Sequence, residues 1–162
     1  MSVESSALPG NTGAIPGTFA CAAVDPETRA LHGKLPTDKE LVLKVIPMPA
    51  DCNANGDIFG GWVMAQVDLA GAVVPARYAD GRMATVAVNQ FIFKQPVRVG
   101  DILSFFAAVT RIGTTSITVQ VEVYAERFRA QGSYIKVTEA SLTYVALDDA
   151  GKPQKISRSL LP

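Results

Sequence analysis

Cysteine and histidine are scarce in this chain of 162 residues, which has two of the former, Cys21 and Cys52, and one of the latter, His32. Two cysteines do not build a disulfide framework and fit a reducing cytoplasm better than an oxidising compartment. With one histidine, a zinc site of the usual ligand types and a histidine-based catalytic triad both lack their parts, so no metal is expected. Net charge is absent too, because 15 basic residues balance 15 acidic ones. That argues against a nucleic-acid binder with a dominant basic face, although a local basic patch for a phosphorylated small molecule remains open. The first residues lack the basic start and apolar core of a secretory signal, which again points to the cytoplasm. No G-x-S-x-G elbow, P-loop or dinucleotide glycine fingerprint occurs. The longest apolar stretch is interrupted by polar residues, Gly, Pro75 and Arg77, so no membrane span is expected.

The length is that of one domain with a tail. Residues 1–38, rich in Gly, Pro, Ser and Ala without a sustained period, read as a flexible N-terminal extension, either dispensable or docked on a neighbouring subunit. The domain itself is expected over residues 39–153, with a short tail at 154–162.

Within that domain the organising stretch is NANGDIFGGWVMAQVDLAGAVVPARYA, from Asn53 to Ala79. A turn at Asn55-Gly56 and an acidic residue suited to a helix N-terminus, Asp57, lead into about twenty residues that are almost all apolar or small. The pattern predicts a buried central helix, closed by Asp80-Gly81 and carrying a carboxylate, Asp68, where a carboxylate is costly. At 3.6 residues per turn Gly61, Ala65, Asp68 and Ala72 share one stripe. Two readings fit it: tight packing around a structurally satisfied Asp, or close approach of another backbone, a second copy of the helix or a thin ligand.

A short strand with two prolines after it, residues 40–46, precedes the helix and reads as an edge or terminal strand. Four longer strands follow, near residues 85–95, 102–111, 116–127 and 134–147. Val86 and Val88 are in phase whereas Phe91 and Phe93 are one residue out, which predicts a bulge near Asn89-Gln90. The run from Ser116 alternates strictly, with Ile117, Val119, Val121 and Val123 on one face. The order predicts an α+β fold in which a curved antiparallel sheet of five to six strands wraps a long helix. Such a sheet leaves part of the helix uncovered, and a second subunit is the obvious lid.

Unsatisfied N–H groups at the helix start, beside Gly60 and Gly61, can form an oxyanion hole, and Asp68 can act as general base or nucleophile. Asp68 follows Gly60 by eight residues, roughly 12 Å along a helix at about 1.5 Å per residue. One carbonyl cannot reach both in one subunit, so the geometry asks for a neighbouring antiparallel helix.

These residues carry a resemblance. The motif P-x-D-x-N-x-N-G-D-I-F-G-G-W-x-M-x-Q-x-D at Pro49 to Asp68 is similar to that of the YciA-type acyl-CoA thioesterases of the hot-dog fold, relatives of the brain-type acyl-CoA hydrolases. F-x-F-x-x-P-V-x-V-G-D at Phe91 to Asp101, G-T-T-S at Gly113 to Ser116 and T-E-A at Thr138 to Ala140 support it, over about Leu41 to Pro153. The resemblance implies hydrolysis of acyl-CoA to a free acid and CoA without metal or cofactor, CoA being part of substrate and product. It implies Asp68 as the catalytic carboxylate, Asn53 as an amide supplied by the other subunit, and Gly60 and Gly61 as oxyanion donors. Gln66 and Trp62 are expected to line the site, and Asp57 to line it or to cap the helix. Val88 and Asn89 are expected to hold pantetheine, with Gly113, Thr114, Thr115, Ser116 and a basic residue such as Arg98, Arg82, Lys94 or Lys136 at the nucleotide end. It further implies a dimer as the minimal active unit within a trimer of dimers. Pro75 departs from the family's helix pattern and puts its last turns in question. Two other functions fit a hot-dog fold. A dehydratase or hydratase would bring a histidine that the domain lacks. A non-catalytic acyl-CoA-binding or regulatory module would not need Asp68, and a regulator would bring a DNA-binding segment that is not evident.

Overall fold

The computed structural model describes residues 34–128 and 130–156. The expected extension up to residue 33, with Cys21 and His32, and the end of the C-terminal tail lie outside them. Five strands, β1 (Glu40–Val45), β2 (Arg82–Phe93), β3 (Ile102–Ile112), β4 (Ser116–Glu126) and β5 (Tyr134–Leu147), surround one helix, α1 (Gly60–Val73). Short turns force consecutive strands to run antiparallel, and every pairing is antiparallel in the order β1-β3-β4-β5-β2. This is the hot-dog arrangement expected above, with β1 on an edge as its flanking prolines require.

The alternation of β4 becomes the floor of the core: Ile117, Val119, Val121 and Val123 are fully buried, and Leu142 and Tyr144 of β5 and Phe105 of β3 join them. Val63, Val67 and Ala70 of α1 press onto this face, each fully buried valine contributing about 1.5–3 kcal/mol. Gly71 lets the helix lie so close that a Cβ there would stand 2.3 Å from the Tyr144 hydroxyl and 3.3 Å from Val121 Cγ2.

The expected bulge is present, with the β2–β5 register slipping between Val88 and Gln90. A second slip, between Thr85 and Ala87, accompanies it.

One expectation about the helix is corrected. It ends at Val73 rather than near Ala79, because Pro75 lacks the N–H that another turn would use and starts a 3-10 turn over Pro75–Arg77 instead. The uncovered part expected of a helix wrapped by one curved sheet is present. Leu69 is 62 % and Met64 42 % exposed, and Asp68 is half-buried rather than enclosed. The sheet covers one side of α1 and leaves the stripe of Gly61, Ala65 and Asp68 open.

Candidate active site

The loop before α1 is built around Asn53. Its side-chain oxygen accepts the backbone N–H groups of Asn55 (2.9 Å) and Asp57 (3.3 Å), while its own N–H donates to the Asp57 carbonyl (2.8 Å). Gly56, with φ +84°, supplies the left-handed residue this tight reversal needs. The amide oxygen of Asn53 is thus committed to the loop, and its NH₂ group has no partner among the described residues. The loop then pairs with the turn after β2, where the Ile58 N–H donates to the Val97 carbonyl (2.8 Å).

Asp57 does not cap the helix. The capping position belongs to Phe59, whose side chain makes no capping bond, and the helix starts one residue later at Gly60. In consequence the N–H groups of Gly60 and Gly61 have no acceptor among the described residues, at the positive end of the helix macrodipole. Beside them lies a cavity of about 310 Å³. Asp57, Ile58 and Gly60 form one wall, residues 93–97 the other, and Val63 contributes from the helix. A Cβ on Gly60 would stand 3.3 Å from the tip of the Phe93 ring, so the glycine keeps this space open.

Asp68, two turns further along α1, has partners that its local sequence does not announce. Thr85 of β2 donates its hydroxyl to Asp68 Oδ1 at 2.7 Å. Tyr144 of β5 points its hydroxyl between the Asp68 carbonyl oxygen (3.0 Å) and the same Oδ1 (3.3 Å). Burial, reinforced by the charge of Asp68 and the bond to it, holds the Tyr144 phenol well above its usual range, so it stays a donor. Oδ2 has no partner among the described residues. The carboxylate is therefore oriented through one oxygen and available through the other. Thr85 gave no sequence signal. Tyr144 could have been found from its inward phase on β5, because a buried tyrosine hydroxyl needs a partner.

Other expected residues fall into two groups. Trp62 is half-buried against the core, Gln66 is half-buried, and Val88 and Asn89 sit at the bulge on the sheet edge. There the Asn89 amide donates to Thr143 Oγ1 at 2.8 Å. Gly113 to Ser116 form the tight β3–β4 turn, closed by the Gly113 N–H on the Ser116 carbonyl (2.7 Å). That turn lies at the far end of β3 from the cavity, 11 residues and roughly 35 Å along the strand at about 3.3 Å per residue. One protomer does not bring it together with Gly60. Of the basic residues, Lys94 is paired with Glu139 (3.0 Å) and Lys136 with Glu122 (2.8 Å). The side chains of Arg82 and Arg98 have no acidic partner among the described residues. No group of three or more His, Cys, Asp or Glu suited to a metal ion occurs among the described residues, and no helix among them is long and apolar enough to cross a membrane.

Residues 55–129 match the model of the thioesterase superfamily. The acyl-CoA thioester hydrolase YciA of Salmonella typhimurium is 46% identical over 119 residues, covering 72% of this chain and 90% of its own. A hexameric thioesterase from Yersinia pestis is 46% identical with a TM-score of 0.70, over 76% of this chain and 98% of that one. A hexameric hotdog fold thioesterase of Campylobacter jejuni is 43% identical, also with a TM-score of 0.70, over 75% and 92% of the two chains. A fold, a helix motif and an identity shared over most of each relative's length make this chain a member of the YciA-type acyl-CoA thioester hydrolases, in the hot-dog thioesterase superfamily.

Proposed function

We infer that the chain hydrolyses acyl-CoA thioesters to a carboxylic acid and CoA in a site shared by two subunits. The observation that carries this reading is Asp68, held at Oδ1 by Thr85 and Tyr144 and, among the described residues, unpartnered at Oδ2. It is complemented by the N–H groups of Gly60 and Gly61 beside the cavity, which have no acceptor among the described residues. The two halves are two turns apart on one helix, too far to serve one carbonyl. An antiparallel α1 from a second subunit, laid on the open stripe of Gly61, Ala65 and Asp68, joins one subunit's amides to Asp68 of the partner subunit.

The thioester carbonyl oxygen docks on the Gly60 and Gly61 N–H groups, which strengthen as negative charge develops there. Such a donor typically contributes about 2.7–4 kcal/mol to the barrier. Asp68 then acts in one of two ways. As a general base, Oδ2 takes a proton from water while the water oxygen bonds to the carbonyl carbon. As a nucleophile, Oδ2 attacks the carbon itself and water cleaves the resulting anhydride. In both, the C–S electron pair leaves on sulfur, which is protonated to give free CoA. The Asn53 NH₂ group, projected from the loop of the subunit that supplies Gly60, orients water or thioester. Asp57 lines this half of the site, and Gln66 and Trp62 flank it on α1. Val88-Asn89 holds pantetheine, while Gly113 to Ser116 and Arg98 reach the nucleotide end across the subunit contact. The Yersinia pestis and Campylobacter jejuni thioesterases are hexameric, which supports a trimer of dimers here.

The test is thiol release from a panel of acyl-CoAs by wild type and Asp68→Asn, with gel filtration of both. The expected result is turnover that persists in a metal chelator and falls at least 100-fold in the variant, from a species no smaller than a dimer. An active monomer, or an unimpaired Asp68→Asn enzyme, overturns the shared site or the role of Asp68 respectively.

A further inference from the structure

The turn after β2, whose first residues wall the cavity, is held by one ion pair. Asp101, 2 % exposed, opens the segment into β3, and its Oδ2 accepts the Arg98 N–H at 2.9 Å and the Arg127 Nη1. The other arm of the guanidinium, Nη2, donates to the Pro96 carbonyl at 3.0 Å. Arg127 follows β4 and stands far from Gly60 in sequence, yet it reaches both ends of the turn after β2. That turn closes with the Asp101 N–H on the Arg98 carbonyl (3.2 Å), and Gly100, at φ +88°, takes the left-handed position. The two ends of the turn, Pro96 and Asp101, are thus tied to one planar cation.

The same turn carries the helix start. Its Val97 carbonyl accepts the Ile58 N–H, and Asp57 pairs with Arg98 as an isolated antiparallel bridge. Ile58, 5 % exposed, stands two residues before Gly60. We propose that Arg127 is a positioning residue for the oxyanion donors. With Asp101 it fixes the residue 96–101 turn, the turn fixes Ile58, and Ile58 fixes where the Gly60 and Gly61 N–H groups point. Arg127 touches no substrate and acts only through this chain of bonds. The proposal rests on the reading of Gly60 and Gly61 as oxyanion donors. It matters because a misplacement of about 1 Å at a reacting centre can cost about 100-fold in rate. Lysine cannot replace it fully, since one ammonium does not offer the two parallel arms that span Asp101 and Pro96.

The experiment compares wild type, Arg127→Met, Arg127→Lys and the control Asp68→Asn by thiol-release kinetics, CoA affinity, thermal melting and amide hydrogen exchange. Arg127→Met is expected to lower kcat about 10- to 100-fold, to weaken CoA binding by a smaller factor because Arg98 sits on the same turn, and to speed exchange of the Ile58 N–H. Arg127→Lys is expected to recover part of kcat and to melt near wild type. A folded Arg127→Met with kcat within twofold of wild type, or with unchanged Ile58 exchange, overturns the proposal. If Arg127→Met does not fold, Arg127→Lys decides on the same two readings. A wild type without hydrolase activity defeats the function proposed above instead, and Ile58 exchange still decides whether Arg127 holds the turn.

Discussion

Thr85 and Asp68, 17 residues apart, are joined by a 2.7 Å hydrogen bond from the threonine hydroxyl to Asp68 Oδ1. Tyr144 approaches the same oxygen from β5, so three elements converge on one carboxylate atom and leave the other open. Thr85→Val keeps the shape and removes the donor. The Tyr144 bond persists, so the expected effect is partial, with kcat reduced about tenfold and stability changed by about 1 kcal/mol or less. Thiol-release kinetics and denaturant melts check both numbers. An unchanged kcat would mean that Tyr144 alone orients Asp68.

Gly71 is required by packing. It faces the sheet at the point where the Tyr144 hydroxyl reaches the Asp68 carbonyl. The methyl group of Gly71→Ala would sit well inside the van der Waals contact distance to that hydroxyl, and Tyr144 is too buried to swing aside. The expected loss is about 1–3 kcal/mol from overpacking, read as a lower urea midpoint. Activity falls as well, because lifting the helix withdraws Tyr144 from Asp68.

Some of this architecture was legible in the sequence and some was not, for physical reasons. The β4 alternation of Ile117, Val119, Val121 and Val123 reports a local period, and all four are fully buried as read. The bulge at Asn89 was legible because two valines and two phenylalanines disagreed in phase. The end of α1 was misplaced, since Asp80-Gly81 looks like a helix stop. Gly81 in fact serves a distant contact: a Cβ there would lie 2.5 Å from Gln154 Nε2 and 2.7 Å from the Leu147 carbonyl. Asp68 stood out as a carboxylate among apolar residues, whereas Thr85 and Tyr144 meet it only once the sheet has closed. A one-dimensional pattern carries the first kind of information but not the second.

Glu122 and Lys136 give the fold a pH signature on the outer face of the sheet. Burial alone pushes the Glu122 carboxyl up, but hydrogen bonds from Lys136 and Tyr124, with the nearby charges of Lys136 and Lys39, outweigh it and leave it below the usual range. A lowered carboxyl stabilises the fold above its ordinary value, about 4.3, and that contribution is lost as pH falls through the lowered folded value. Lys136 is also buried in part, which lowers it, yet the Glu122 bond and the surrounding negative groups raise it overall. Its contribution is complete below about 10.4 and is lost as pH rises through the raised value. Glu122→Gln should therefore melt lower than wild type at pH 7, by on the order of 1–3 kcal/mol. The two melting curves should converge as pH falls through the lowered folded value, where wild type protonates too. Curves that stay parallel throughout the acid limb would show that Glu122 acts through packing and not through charge.

Asn53 offers the sharpest separation of structure from chemistry, because its two side-chain ends do different things. The oxygen accepts the Asn55 and Asp57 N–H groups and shapes the loop, while the nitrogen is unpartnered among the described residues. Asn53→Asp preserves an acceptor for both backbone bonds and replaces the NH₂ donor with an oxygen that bears charge. Asn53→Ala removes both ends. If the residue only builds the loop, the aspartate variant should match wild type and the alanine variant should lose stability and activity together. If the nitrogen orients water or thioester, as the proposed shared site requires, the aspartate variant should melt within about 1 kcal/mol of wild type yet lose about 10- to 1000-fold in kcat. Added negative charge facing Asp68 of the partner subunit would deepen that loss, and more so at low ionic strength, where like charges are less screened. Kinetics and melts of the two variants at two salt concentrations distinguish the outcomes. An aspartate variant with full activity would assign Asn53 to the loop alone and leave Asp68 without a side-chain partner across the contact.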